Sequence, residues 1–166
     1  MIPRPRAFTL VEILIVVMII GILAAIAVPK LANASQVARE NALKDNLRIL
    51  RTALNVYRSQ HTFYPGYPGG VATQSPTAQA TQDQLLLYTD ASGNTSAAPT
   101  AIFKCGPYLS EMPRNPVNNN ADIKILADAD PFTPDNTSGW LYQPSTGLIK
   151  PNIPSTDSNE HPIVDY

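Results

Sequence analysis

Apolar residues crowd the start of the chain and then spread out in a second rhythm. From Phe8 to Val28, 18 of 21 residues are apolar, the exceptions being Thr9, Glu12 and Gly21. As an α-helix this stretch is ~31 Å long, enough to cross the hydrocarbon core of a bilayer. No other stretch has that length and composition, so the chain is not polytopic. Beyond Pro29, Leu43, Leu47, Leu50, Leu54 and Tyr57 recur at steps of four and three, the spacing of a helix with one buried side. Ile49, Ala53 and Val56 are expected to widen that stripe. No Gly or Pro interrupts residues 30–60, and the helix is predicted to stop near His61, before Pro65, Gly66, Pro68, Gly69 and Gly70. The whole rod would be ~80 Å long. Pro29 removes one helical hydrogen bond, so a kink or local loosening is expected there, with Gly21 as a second weak point.

The remaining residues, 61–166, read as a loop-rich head. Residues 61–80 are rich in Pro, Gly, Thr and Gln. Thr81 to Tyr88 suggests a short helix sending Leu85, Leu86 and Leu87 into the core. Ile123 to Leu126 is a strand candidate, and the prolines and asparagines of 113–120 call for loop. The clearest hairpin is Trp140–Gln143, a turn through Pro144, Ser145, Thr146 and Gly147, then Leu148–Lys150. A small antiparallel sheet of three or four strands is expected to pack on the apolar stripe. The predicted class is α+β, divided into residues 1–7, an apolar helix 8–29, an amphipathic continuation 30–60 and the head 61–166.

At 166 residues the chain is about one domain's worth. Sixteen prolines account for the loops, and a single cysteine, Cys105, excludes an internal disulfide framework. The net charge of −1 conceals a split. Lys30, Arg39, Lys44, Arg48, Arg51 and Arg58 face only Glu40 and Asp45 within residues 30–60, whereas residues 61–166 carry four basic and ten acidic side chains. A basic rod joined to an acidic head could pair with copies of itself, or simply present two solvated faces. Lys44, Arg48, Arg51 and Arg58 form a stripe roughly 100° from the apolar face. Aromatics do not alternate with it and no groove-reading motif is present, so a solvated or subunit-facing surface is expected rather than a nucleic-acid contact. No catalytic constellation emerges. His61 and His161 lack partners in any motif, and no serine lies in a G-x-S-x-G context. The chain is read as a substrate of processing enzymes and not an enzyme, with no resident cofactor required.

The start carries the most chemistry. Arg4 and Arg6 precede the apolar run with no acid before Glu12; the positive-inside rule places the N-terminus in the cytoplasm and the head beyond the membrane. Three readings follow. A secretory signal peptide fits the basic start and the small residues Ala25-Ile26-Ala27, leaving Val28 as the new first residue. A plain anchor would leave Glu12 at the interface, favoured by the helix dipole. In the third reading, a cut between Ala7 and Phe8 creates an α-amine close to Glu12. An unpaired carboxylate among apolar residues costs a few kcal/mol in lipid. In a staggered bundle Glu12 would meet the amine of a neighbouring copy, which specifies register more than it adds stability.

Phe8-Thr9-Leu10-Val11-Glu12, the apolar run Ile13–Val28 and Pro29 resemble the N-terminal signature of type IV pilins and type II secretion pseudopilins. That resemblance implies removal of a short basic leader before Phe8 by a prepilin peptidase, N-methylation of Phe8, and Glu12 as the assembly carboxylate. The family usually has Gly before the cut; here the small residue is Ala7. The order Tyr108-Leu109, Pro113, Asn115-Pro116, then Trp140-x-Tyr142, Pro144, Thr146-Gly147 resembles the head of the major pseudopilins of type II secretion systems. Many type IV pilins close a C-terminal loop with two cysteines, which a chain with Cys105 alone does not do.

The resemblance implies a single-pass inner-membrane subunit whose head is periplasmic, or extracellular after assembly. It would self-associate into a helical filament. Its partners would be the peptidase/N-methyltransferase, an inner-membrane assembly platform and minor pseudopilins. It also implies calcium in a C-terminal loop, for which Asp122, Asp128, Asp130 and Asp135 offer carboxylates. No EF-hand-like spacing accompanies them, so a solvated acidic loop is the competing reading. The alternatives to a secretion pseudopilin are a type IV pilus subunit serving adhesion, motility or DNA uptake, and an exported binding module.

Overall fold

The computed structural model describes residues 9–166, with side chains throughout except at positions 29, 32 and 33. The expected leader, residues 1–7, and the expected cut between Ala7 and Phe8 lie outside the described residues. Two compact units divide the chain, residues 1–38 and 39–166. The long helix α1, Leu10–Gln60, belongs to both.

In the first unit the apolar residues from Leu10 to Val28 are all exposed. Every backbone group inside such a helix is satisfied within it, which is what lets an apolar helix enter lipid. Helical backbone continues through Gly21 and Pro29. Pro29 supplies no N–H to the Ala25 carbonyl.

The second unit is built on the stripe predicted from the four-and-three spacing. Leu43, Leu47, Leu50, Leu54 and Tyr57 are all buried, against Leu85, Leu109, Trp140, Tyr142 and Ile149. Each fully buried leucine contributes ~1.5–3 kcal/mol of transfer free energy. Ala53 joins them, but Ile49 and Val56 do not: they remain 46% and 41% exposed. Both lie on the flank of the helix and not over the sheet, so the buried stripe is narrower than the sequence pattern suggests.

Helix α2 covers Ala78–Leu86, starting three residues before the expected Thr81 because Thr77 caps it. The Thr77 hydroxyl accepts the Ala80 N–H at 3.1 Å. Leu85 is buried, while Leu86 and Leu87 are half-buried. Gln84, also buried, acts as a polar hub: its Oε1 accepts the Gly66 N–H and its Nε2 donates to the carbonyls of Tyr67 and Gly93. A ribbon missed by the alternation pattern follows, β1 (Tyr88–Thr89) against β2 (Thr95–Ser96). Its turn is held by Asp90, whose carboxylate accepts the N–H groups of Ser92 and Asn94.

The main sheet has the order β3 (Ile123–Ile125), β4 (Trp140–Gln143), β5 (Leu148–Pro151). The hairpin β4–β5 is antiparallel, with Tyr142 opposite Ile149. β3 lies parallel to β4, so this α+β head carries a mixed sheet and not a purely antiparallel one. The parallel pairing needs a crossover, and residues 126–139 provide it. Trp140 sits at the centre, its Nε1–H donating to the Pro113 carbonyl at 2.9 Å. The Tyr142 hydroxyl donates to the Pro65 carbonyl at 2.9 Å, tying the loop after α1 to the sheet.

Candidate assembly site

At the start of the described chain, Thr9 and Glu12 form a reciprocal cap. The Thr9 N–H and hydroxyl both donate to one Glu12 carboxylate oxygen at 2.8 Å, and the Glu12 N–H donates back to the Thr9 hydroxyl at 3.2 Å. This is a capping box of the Thr-x-x-Glu kind at the start of an apolar run. The Thr9-Leu10-Val11-Glu12 spacing carries this cap, a role beyond the intermolecular amine pairing expected of Glu12. The two roles draw on the same carboxylate. The carboxylate therefore has a partner within its own chain before any neighbour arrives. Ala7 and Phe8 lie outside the described residues. Leu10–Val28 is the helix long and apolar enough to cross a membrane among the described residues. So the apolar run combines a polar, self-satisfied tip with sides that no part of the described chain covers.

In the second unit the basic stripe is largely occupied by the chain itself. Arg51 donates to the carbonyls of Ile149 and Tyr166, and burial pushes its guanidinium pKa down. Lys44 lies over the Tyr166 ring at 4.2 Å. Arg58 donates to the His61 carbonyl and faces the Tyr64 ring. Three of the four cations thus hold the head to the helix, which leaves little of the stripe for phosphates. His61 is buried just past the helix. Its ring stacks on Tyr57 at 4.0 Å between centroids and bridges the Tyr57 and Asp90 carbonyls at 2.9 Å each. It closes the end of α1 against the β1–β2 ribbon.

The acidic residues in the head do not form a calcium cage. Asp135 is surrounded by donors: Lys124 Nζ, Asn152 Nδ2 and both the N–H and hydroxyl of Thr137. The ammonium of Lys124, followed by the Asn152 and Thr137 bonds, holds the Asp135 carboxyl well below the usual range. Asp130 accepts the Ala127 N–H. A hard cation wants several carboxylate or carbonyl oxygens with free lone pairs, and here a lysine and an amide occupy them. Among the described residues no group of three His, Cys, Asp or Glu side chains is placed to hold a metal. The donor set does not fit calcium.

Cys105 is half-buried, and its backbone pairs with Thr89 in both directions. Cys105 lines a groove beside α1, together with Arg48, Ile49, Val56 and Lys104.

Comparison with known proteins gives these features a family. The prokaryotic N-terminal methylation motif matches residues 2–28, the segment containing Ala7, Phe8, Thr9 and Glu12. Type II secretion system core protein G of Klebsiella pneumoniae is 33% identical over 125 residues, covering 75% of this chain and 76% of the relative. The corresponding protein of Vibrio cholerae is 27% identical over 132 residues, 80% of this chain and 77% of the relative. The type IV major pilin protein PilA of Myxococcus xanthus is 43% identical, but over 65 residues, 39% of this chain and 30% of the pilin. No solved structure matches the chain. The chain is a type IV pilin-like protein of the pseudopilin kind. It belongs to the family of type II secretion system core protein G.

Proposed function

We propose that the chain is a structural filament subunit of a type II protein secretion system. The observation that carries this reading is the Thr9–Glu12 cap at the tip of a fully exposed apolar helix, inside the segment that matches the methylation motif. Before assembly the helix is anchored in the inner membrane, with Arg4 and Arg6 on the cytoplasmic side. A prepilin peptidase cuts between Ala7 and Phe8, and Phe8 is N-methylated. Glu12 then exchanges its bonds with Thr9 for the amine of a neighbouring copy, which fixes the stagger between subunits. Gly21 and Pro29 are the points where the helix loosens as copies pack. The relatives named for secretion support a periplasmic filament with the heads outside, an assembly platform at its base and minor pseudopilins beside it.

Transfer from lipid to filament exchanges one apolar environment for another, so the hydrophobic effect supplies little net drive. Packing, the Glu12 pair and an external motor must supply the rest. Mass spectrometry of the mature protein tests the processing step. A chain starting at N-methyl-Phe8 is expected; a chain starting at Val28 would mean an exported module, and one starting at Met1 an uncut anchor. Glu12→Ala should insert normally and fail to assemble, and full filament yield from that variant would overturn the role given to Glu12. The likeness to the Myxococcus pilin favours one second reading, a type IV pilus subunit. Deleting the chain separates the two: loss of exported proteins supports secretion, and loss of surface pili supports the pilus.

A further inference from the structure

The second unit carries a groove of about 760 Å³ on one flank of α1, walled by Ile49, Thr52 and Val56 of the helix and by Lys104, Cys105 and Pro107 opposite. Its apolar wall is half exposed, as Ile49 and Val56 illustrate. The charged residues lining it, Arg48 and Lys104, are both basic. Arg48 pairs with Asp45 at 3.3 Å. Lys104 is exposed and takes no hydrogen-bond or ion-pair partner among the described residues.

The opposite flank carries the complementary charge. The turn Thr156–Pro162 is closed by a backbone bridge between its ends and pinned to α1 through Ser158 and Glu40. At its tip the Glu160 N–H donates to the Asp157 carbonyl, while its exposed carboxylate takes no hydrogen-bond or ion-pair partner among the described residues. The two features lie on different sides of the helix. At ~100° per residue, Ile49, Val56 and Gln60 fall roughly 100° to one side of Leu50, while Glu40, Lys44 and Arg51 fall roughly 100° to the other. They are also at different heights. The turn is anchored at Glu40 and the groove is centred near Thr52, an axial offset of ~18 Å.

We propose that this groove receives the Thr156–Pro162 turn of a second copy, with Lys104 facing that copy's Glu160. The inference rests on the filament reading above and supplies it with a head-to-head contact. The two surfaces are different patches of one molecule, so the contact is heterologous. Because they are offset along the helix, repetition generates an open helix and not a closed ring. Burial of the Ile49 and Val56 faces provides adhesion, while the charge pair selects the register and rejects a like-charged alignment.

The native Cys105 lining the groove makes the contact measurable. The full chain is expressed with its own peptidase and assembly machinery, and Glu160→Cys is oxidised mildly against Cys105. A ladder of dimers, trimers and longer species is expected, collapsing on reduction and missing when Cys105→Ser is added. A dimer with no higher rungs would mean a symmetric contact and would overturn the proposal. Lys104→Glu and Glu160→Lys should each lower the yield of sedimented filaments about tenfold, and the two together should restore it. Both side chains are exposed, so neither reversal should impair folding. If wild-type protein forms filaments from N-methyl-Phe8 subunits, yet neither reversal lowers the yield and no ladder forms, the contact is wrong and the filament reading stands. If wild-type protein is neither cut nor polymerised, the filament reading fails and the contact falls with it.

Discussion

Glu40 accepts the backbone N–H and the hydroxyl of Ser158, each at 2.8 Å, across 118 residues of chain. Glu40 is buried on α1, and these bonds tie the last turn of the head to the helix. A buried carboxylate with donors on both oxygens is worth more than a surface ion pair, because removing it leaves the Ser158 N–H without its acceptor. Glu40→Ala should therefore destabilise the head by about 2 kcal/mol, with Glu40→Gln costing less. Thermal unfolding of the detergent-solubilised chain measures the loss. Hydrogen exchange should show the opening at residues 156–162 first.

The same turn is organised from inside by Asp157. Its side chain is 3% exposed and receives the Tyr166 hydroxyl at 2.7 Å, with the N–H groups of Asn159 and His161 at 2.8 and 2.9 Å. The Tyr166 hydrogen bond, then the two backbone bonds, brings its pKa down to about 2. An unfolded aspartate titrates near 3.9. A group depressed in the folded state contributes its stability above the unfolded value and loses it as the pH falls through the folded one. The melting temperature should hold above pH ~4 and drop between pH ~4 and ~2. Asp157→Asn should melt lower at neutral pH and show a shallower drop in that window. An identical acid limb in both proteins would contradict the assignment.

What could be read from the sequence alone depended on whether a periodic pattern or an unusual charge carried the information. Leu43, Leu47, Leu50, Leu54 and Tyr57 announce a buried helix face because their spacing matches the helical period, and all five are buried. The hairpin Trp140–Gln143 to Leu148–Pro151 is visible because Pro144 and Gly147 bracket its turn. The parallel pairing of Ile123–Ile125 is not visible, since strand direction is decided by the 126–139 crossover and its polar bonds. Ile49 and Val56 follow the helical pattern yet stay half exposed, because hydropathy does not say how wide a sheet covers a helix. The methylation segment was legible for the opposite reason: a lone acid in an apolar run costs energy and therefore stands out. The partner of that acid within the chain, Thr9, went unread, because the Thr-x-x-Glu spacing that signals a cap was eclipsed by the charge itself.

Asn152 gives a third test. It is fully buried; its Oδ1 accepts the N–H groups of Asp135 and Asn136, and its Nδ2 donates to Asp135 and to the Ser138 hydroxyl. Together with Lys124 it completes the loop that a metal would otherwise cross-link. Asn152→Leu leaves two buried backbone donors without an acceptor and strips Asp135 of one of its four donors, and should cost about 3 kcal/mol. Because the chain's own groups fill this site, millimolar calcium or a chelator should leave the melting temperature of the wild-type protein unchanged. A calcium-dependent rise would mean that the loop rearranges to release Asp135.

Arg51 distinguishes a structural cation from a nucleic-acid contact. Its guanidinium reaches two carbonyls on separate segments, Ile149 on β5 and Tyr166. The planar guanidinium of arginine suits two divergent acceptors better than an ammonium does. Arg51→Ala should cost about 1.5–2 kcal/mol in thermal unfolding, and Arg51→Lys should recover only part of it. Duplex DNA titrated into the wild-type protein at physiological salt should bind no more tightly than to the Arg51→Ala protein. If the substitution left stability untouched but weakened a measurable DNA affinity, the stripe would be a phosphate surface and the packing role given to Arg51 would be wrong.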